Sequence, residues 1–543
     1  MAPQTIFVNA RFLDTEGAAG PSLVNEEHDC MVVSGSNISH LGRASDGVVR
    51  LVREAGANTI DLRGRVVAPG FIDSHVHLLM FGASAQKLDL SSCTSLAEIR
   101  ETISKFCAQN EDLPRILCKG WLQSMTDGLA LASMLDDLDP RPIFVDAMDL
   151  HSVWCNTAAL DLLPLAKMQE ACGEFVTSGA NGKPTGLIAE KAVTAFVWPM
   201  LASLSTMEEN HACLDEAIDQ YVAAGYTGVI DMAMDSNSWT ALETYRDSKG
   251  IPFHVAAHWF IPYEEDRKAL LDHVDEAIEM HRRWHPSRFP EFCVIGVKLM
   301  CDGTVDGCTA ALSYPYGNDP DFVKPIWPAD AMELVVKRAS DAGLQIAIHA
   351  IGDAAVTQAI EAIAKADAPQ GRHRIEHLEL ASVEDAKRLG RLGITASIQP
   401  VHSDPAILKG YANLIDPSTF DAAFPYREMA KGNACVAIGT DAPTARHLPF
   451  PNLYNACTRK SALDPSLKTQ TNPKSALSLA QALSGATAGA AYSRFAEKWT
   501  GSLKTGLQAD FIVIDEVHAP DQLQQTRICE TWARGKLVYA AKQ

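Results

Sequence analysis

The sequence predicts an α/β protein: a (β/α)8 TIM barrel with a composite β-sandwich built from both termini and an insertion after the first barrel strand. Three observations predict it. Eight short apolar stretches alternate with helix-like segments, the pattern of βα units around a parallel sheet. Strand-like runs bounded by turn residues lie at both ends of the chain and carry none of the residue types that do chemistry. A gap of roughly a hundred residues, too long for a barrel loop, separates the first and second stretches.

In chain order, residues 1–65 form the first part of the sandwich, with strand-like runs at 5–12, 30–41 and 59–62 punctuated by Gly35, Gly42 and Gly64. Residues 66–94 hold the first barrel strand, read as 66–73, and its exit. Residues 95–202 are the insertion, with strand-like pieces at 115–122 and 143–147, expected to pack over the barrel mouth. Residues 203–497 complete the barrel, with strands expected at 227–232, 253–259, 293–300, 344–349, 374–377, 394–399 and 435–439. Helices are expected at 331–342 and 353–365, and the loop 313–326, rich in Pro, Gly, Asp and aromatics, is a candidate lid. Residues 498–543 return to the sandwich with runs at 509–515, 528–532 and 536–539.

The 543 residues exceed a single ordinary domain, and 47% hydrophobic with 21% charged residues is a globular composition. A formal charge of -20 repels phosphate backbones and anionic lipid, so neither nucleic acid nor a membrane surface is the expected partner. The thirteen cysteines follow no repeated spacing and contain no Cys-x-x-Cys pair. With no secretory leader and no run of about 18 apolar residues, they favour a reducing, cytoplasmic setting.

The chemistry gathers at the predicted strand ends, where barrels of this class carry their active sites. His75 and His77 end the first strand; alternate residues of a strand point the same way, so both imidazoles reach one point. Alone, such a pair is also an ordinary polar strand end. Lys298 interrupts the apolar run 294–300, where a buried ammonium needs a partner. Asp302 is the structural candidate for that role, and the alternative is a lysine carboxylated on its amine. His349 and His377 end the fifth and sixth strands, and Asp441 follows the eighth. Each has a structural reading by itself; all in barrel order make a metal site. Imidazoles, a carbamate and a carboxylate suit Zn²⁺ or a similar ion, one or two of them, with Asp441 placed to act as general base and then general acid.

These motifs resemble the amidohydrolase superfamily, in the branch of amidohydrolase family 3 that groups YtcJ-like and N-substituted formamide deformylase-like proteins. The resemblance rests on residues 68–77, 296–303 with Thr309-Ala310, 349–353, 372–377, 439–443 and 501–515. It implies that His75, His77 and Asp441 hold the more buried metal, that Lys298 bridges as a carbamate, and that His349 and His377 hold a second metal. In the insertion, Gly120-Trp121, 149–152 with Asn156, and 182–186 followed by Glu190 also match the branch. His151 is a candidate catalytic and substrate-orienting donor, with a structural loop histidine as the alternative. Trp121 is a candidate pocket wall. His258 and His402 are candidates to line the substrate pocket, whereas His254, four residues earlier on the same strand face, is expected in the core.

The resemblance implies hydrolysis of a carbon–nitrogen bond other than a peptide bond in a small molecule. The alternatives are ester or lactone hydrolysis or decarboxylation at the same site, or a non-catalytic scaffold. A homodimer is the candidate assembly.

Overall fold

Long apolar runs in this chain become strands buried along nearly their whole length, as a sheet covered on both faces requires. In the computed structural model, eight of them form one parallel sheet: β1 (Phe71–Val76), β2 (Tyr226–Met234), β3 (His254–Phe260), β4 (Phe292–Met300), β5 (Gln345–Ala350), β6 (Arg374–His377), β7 (Thr395–Ile398) and β8 (Val436–Ile438). They are arranged in sequence order, and the edges meet where Val76 bridges Ala442 in parallel. The molecule is described over residues 3–14, 24–148, 152–179, 182–317, 321–516 and 519–542.

Helices follow the strands as the apolar periodicity dictates. The helix Asp353–Ala366 buries Ala355, Val356, Ala359, Ile360, Ala362 and Ile363, one stripe at helical spacing. The helix Val383–Arg391 starts at Ser382, whose hydroxyl accepts the Asp385 N–H, and Arg267–Arg283 starts at Asp266, each supplying an acceptor to the unpaired first turn.

The expected first strand, 66–73, is two strands. Val66–Pro69 pairs antiparallel with Phe511–Ile514 in a six-stranded sheet made from both termini, while Phe71–Val76 begins the barrel. The chain crosses between them at Gly70, whose N–H donates to Asp510. A Cβ there would stand 2.3 Å from the Thr227 side chain, so only glycine passes. The sequence hides this break because both strands are buried and read as one apolar run. A four-stranded sheet (Gln4–Val8, Cys30–Ser34, Asn37–Gly42, Asn58–Asp61) packs on the terminal sheet. Their shared core includes Phe7, Met31, Val67, Phe511 and Trp532.

Two compact units emerge. One comprises Met1–Leu78, Ile218–Trp239 and Tyr245–Gln543, and holds the barrel and the terminal sheets. The other comprises Leu79–Ala217 and Thr240–Thr244, and includes the expected insertion. This second unit is built on a mixed six-stranded sheet running Val176–Ser178, Pro184–Ala189, Ser152–Cys155, Ile143–Ala147, Ile116–Trp121, Leu88–Asp89. Among the described residues, no helix is long and apolar enough to cross a membrane.

The barrel seam is fastened by one buried carboxylate. Asp73 Oδ1 accepts the His75 and Thr440 N–H groups, and Oδ2 accepts the Thr440 and Tyr221 hydroxyls. Burial raises its pKa to about 6 against those bonds. Asp73→Ala leaves four buried donors without an acceptor and is expected to lower stability by about 3 kcal/mol. The urea midpoint reads this out, and Asp73→Asn, which keeps an acceptor, should lose less.

Candidate metal centre

The seam sets the distance between the first and last ligands. Asp441 N–H donates to His75 O at 2.7 Å, and His77 N–H to Ala442 O at 3.0 Å. Gly439 makes this approach possible, because a Cβ there would lie 2.4 Å from His75 N. The Asp441 carboxylate Oδ1 then faces His75 Nε2 and His77 Nε2, each at 3.2 Å.

Both rings donate their other nitrogen elsewhere: His75 Nδ1 to Glu376 Oε2 and His77 Nδ1 to Met232 O, each at 2.8 Å. Both Nε2 lone pairs are therefore aimed at a carboxylate oxygen, an arrangement that repels unless a positive charge lies between them. Donors bound to Zn²⁺ at about 2.0–2.1 Å in a tetrahedron stand about 3.3 Å apart. The observed 3.2 Å spacing matches, so the donor set fits such an ion. Burial raises the Asp441 pKa, but His75, His77 and His377 outweigh it and hold the carboxyl well below its usual range. Against burial, the largest influence, Asp441 in turn lifts His77 above its ordinary value.

His75 is held from behind. Glu376, fully buried, sits between the His75 ring and the Arg374 guanidinium, which also donates to Ser74 O and Ser397 Oγ. Arg374 and Glu376 alternate along β6 and so share a face. A carboxylate behind a ligating imidazole fixes its tautomer and strengthens its donor nitrogen.

Lys298 lies on β4, 1% exposed, and among the described residues its Nζ has no hydrogen-bond partner. Burial lowers its pKa to about 8, with Glu376 and Asp441 opposing the fall. Asp302, the structural candidate for its partner, is engaged otherwise: it accepts the Ala311, Ile351 and Gly352 N–H groups and holds the turn after His349. His349 Nε2 lies 3.1 Å from Gly303 O, which leaves Nδ1 as the basic nitrogen once Nε2–H donates there. Its ring centroid is 4.4 Å from that of His377, and the His377 centroid is 5.1 Å from that of His75. Burial lowers His349 to about 3 and takes His377 well below its ordinary value, a direction that favours the neutral imidazole a metal needs. The backbone at His377 and Asp441 is left-handed, with φ of 74° and 59°, strain of about 1–3 kcal/mol each that clusters at functional sites.

The structure thus brings His75, His77, Lys298, His349, His377 and Asp441 to the C-terminal end of the barrel. His402 joins them, its ring stacked on His377 with centroids 5.8 Å apart and its Nε2 3.8 Å from Asp441 Oδ2. Two expectations fail. His258 is wholly buried inside the barrel, with its Nε2 bonded to Gln345 Oε1 at the first residue of β5 rather than open to a pocket. Trp121 is not a pocket wall: it is wholly buried in the second unit's core, 5.5 Å from Trp154, with its indole N–H donated to Thr126. Both readings relied on sequence position, whereas side-chain direction inside a sheet decides exposure. His151 lies outside the described residues. The sequence reading missed Glu379, which is buried beside His402 and bonded by the Tyr411 hydroxyl. The strand ends at His377 and the backbone at 377 and 378 is left-handed, so the sequence carries no spacing signal for Glu379.

Comparison with known proteins adds a family. A model described as amidohydrolase family matches residues 58–539. The chain is 27% identical over 496 residues to the putative amidohydrolase YtcJ of Bacillus subtilis, covering 88% of this chain and 90% of that one. It is 25% identical over 549 residues to an N-substituted formamide deformylase of Arthrobacter pascens, covering 94% of each. In fold, it resembles the crystal structure of an uncharacterized metal-dependent hydrolase from Pyrococcus horikoshii, with a TM-score of 0.76 at 22% identity over 95% of this chain and 98% of that one.

Glu376→Gln is expected to weaken metal retention by about 10–100-fold. Metal analysis after dialysis against a chelator tests this, with circular dichroism as the control for folding. Trp121→Ala should destabilise its unit by about 3–5 kcal/mol, seen as faster limited proteolysis within residues 79–217.

Proposed function

Because the chain belongs to the amidohydrolase family, we propose that it is a metal-dependent hydrolase that cleaves an amide-type carbon–nitrogen bond, other than a peptide bond, in a small molecule. The observation that carries this reading is the convergence of His75 Nε2, His77 Nε2 and Asp441 Oδ1 at tetrahedral spacing. The similarity to a formamide deformylase supports the type of bond.

His75, His77 and Asp441 hold the ion, with Lys298, His349 and His377 as further donors. A Zn²⁺ ion held by these residues would lower the pKa of a water toward about 7 and polarise a substrate carbonyl. The chain's own residues manage the protons. Asp441 Oδ1 faces the imidazoles, while Oδ2, turned toward His402, is the oxygen that takes the proton of the attacking water and returns it to the leaving nitrogen. His402 orients the substrate beside it, held by the Thr444 hydroxyl at 3.4 Å. Burial lowers the Lys298 pKa to about 8, which raises the share of the neutral amine that carboxylation requires, and a carbamate there would add an anionic donor to the site. The acidic surface and the absence of a long apolar helix among the described residues support a cytoplasmic enzyme acting on small molecules.

Chelation should abolish hydrolysis, and Zn²⁺ should restore it. A panel of formamides, cyclic amides, N-acyl amino acids and lactones tests the bond type: turnover of lactones and esters with amides untouched would overturn the carbon–nitrogen assignment. Asp441→Asn should lower kcat by about 10²–10⁴ on whichever substrate turns over.

A further inference from the structure

We propose that Asn452 is a positioning residue, which fixes the distance between the His402 imidazole and the Asp441 carboxylate. Its side-chain amide ties the turn that bears His402 to the strand end that leads to Asp441. The inference rests on the metal-hydrolase reading and adds to it a residue that the strand-end pattern does not contain.

The backbone ladder between β7 and β8 ends where the Gly439 N–H donates to Ile398 O at 3.0 Å. Beyond that bond the two chains part. One enters the short helical turn Pro400–Ser403, which holds His402, and the other runs to Asp441. Asn452, on the helix Pro449–Thr458 and 2% exposed, spans the gap. Its Oδ1 accepts the Val401 N–H and its Nδ2 donates to Gly439 O, each at 2.8 Å. A side-chain amide carries the same kinds of donor and acceptor as a peptide group, so it extends the ladder by one step. The Val401 N–H lies in the first turn of a helical segment, where the segment itself supplies no acceptor.

The same helix grips the turn farther on. Asn455 Nδ2 donates to Asp404 Oδ2 and Arg459 Nη1 to Ser403 Oγ, each at 3.1 Å. Asn452, Asn455 and Arg459 stand at helical spacing and are all buried, so one face of this helix addresses residues 401–404. Asp441 is anchored independently of that face, because its N–H donates to His75 O across the seam. The turn is therefore the part that Asn452 places. Glu379 and Thr444 meet the His402 ring and set its rotation, whereas Asn452 sets where its backbone stands. The result is the 3.8 Å between His402 Nε2 and Asp441 Oδ2.

The test uses the full-length, metal-loaded protein. Asn452→Ala should lower kcat by about 10–100-fold, as a misplacement of about 1 Å does, with the metal content after dialysis unchanged. In a His402→Ala background the same substitution should cost less than about twofold more, because the residue it positions is gone. A full additional loss in that background, or loss of the metal, would mean that Asn452 supports the barrel or the metal site at large, and would overturn the proposal. A crystal structure of the variant needs no substrate. The distance from His402 Nε2 to Asp441 Oδ2 should lengthen by about 1 Å or more, and an unchanged distance would overturn the proposal. Asn452→Asp has nearly the same shape and sets an acceptor against Gly439 O, so it should give the same displacement even where the alanine variant does not fold. An unaltered protein that binds metal yet turns over no amide or ester would instead remove the hydrolase reading, and the crystallographic distance would still decide the role of Asn452.

Discussion

The seam between the first and eighth barrel strands is the constraint on which the site depends. It joins residues 73–77 to residues 439–442, more than three hundred positions apart. Asp73 gathers donors from both edges and from Tyr221, and Gly439 lets the two backbones touch. Closing a sheet this way removes its exposed edges. It also decides that the Asp441 carboxylate lands at ligand spacing from two imidazoles, rather than several ångströms away.

Behind that geometry runs a buried ionic chain, from Arg374 through Glu376 to His75. Buried charges are expensive unless paired and bonded. Here the guanidinium also donates to Ser74 O and Ser397 Oγ, so the chain ties three strands of the barrel together while it fixes one ligand. The left-handed backbone at His377 and Asp441 is the complementary device.

Polar burial at the C-terminal end of the barrel exceeds what folding needs. Among the described residues, Lys298 Nζ and His377 Nδ1 have no hydrogen-bond partner, and Glu379 meets a hydroxyl and an imidazole but no lysine or arginine.

The sequence by itself determined the barrel, the terminal sheets and the strand-end positions of the six candidate donors. Apolar runs and turn residues are local, and a histidine or aspartate at a strand end is visible without knowing its neighbours. It could not determine what depends on direction and distance. The split of 66–73 at Gly70 is invisible in a run that is apolar throughout. Trp121 and His258 sit at plausible positions, but one packs in the second unit's core and the other is bonded to Gln345 inside the barrel. Glu379, a charged residue just past a strand, reads as loop surface until the fold brings Tyr411 and His402 against it. Only the tertiary structure brings together groups that are distant in the chain, and metal ligation depends on that spacing.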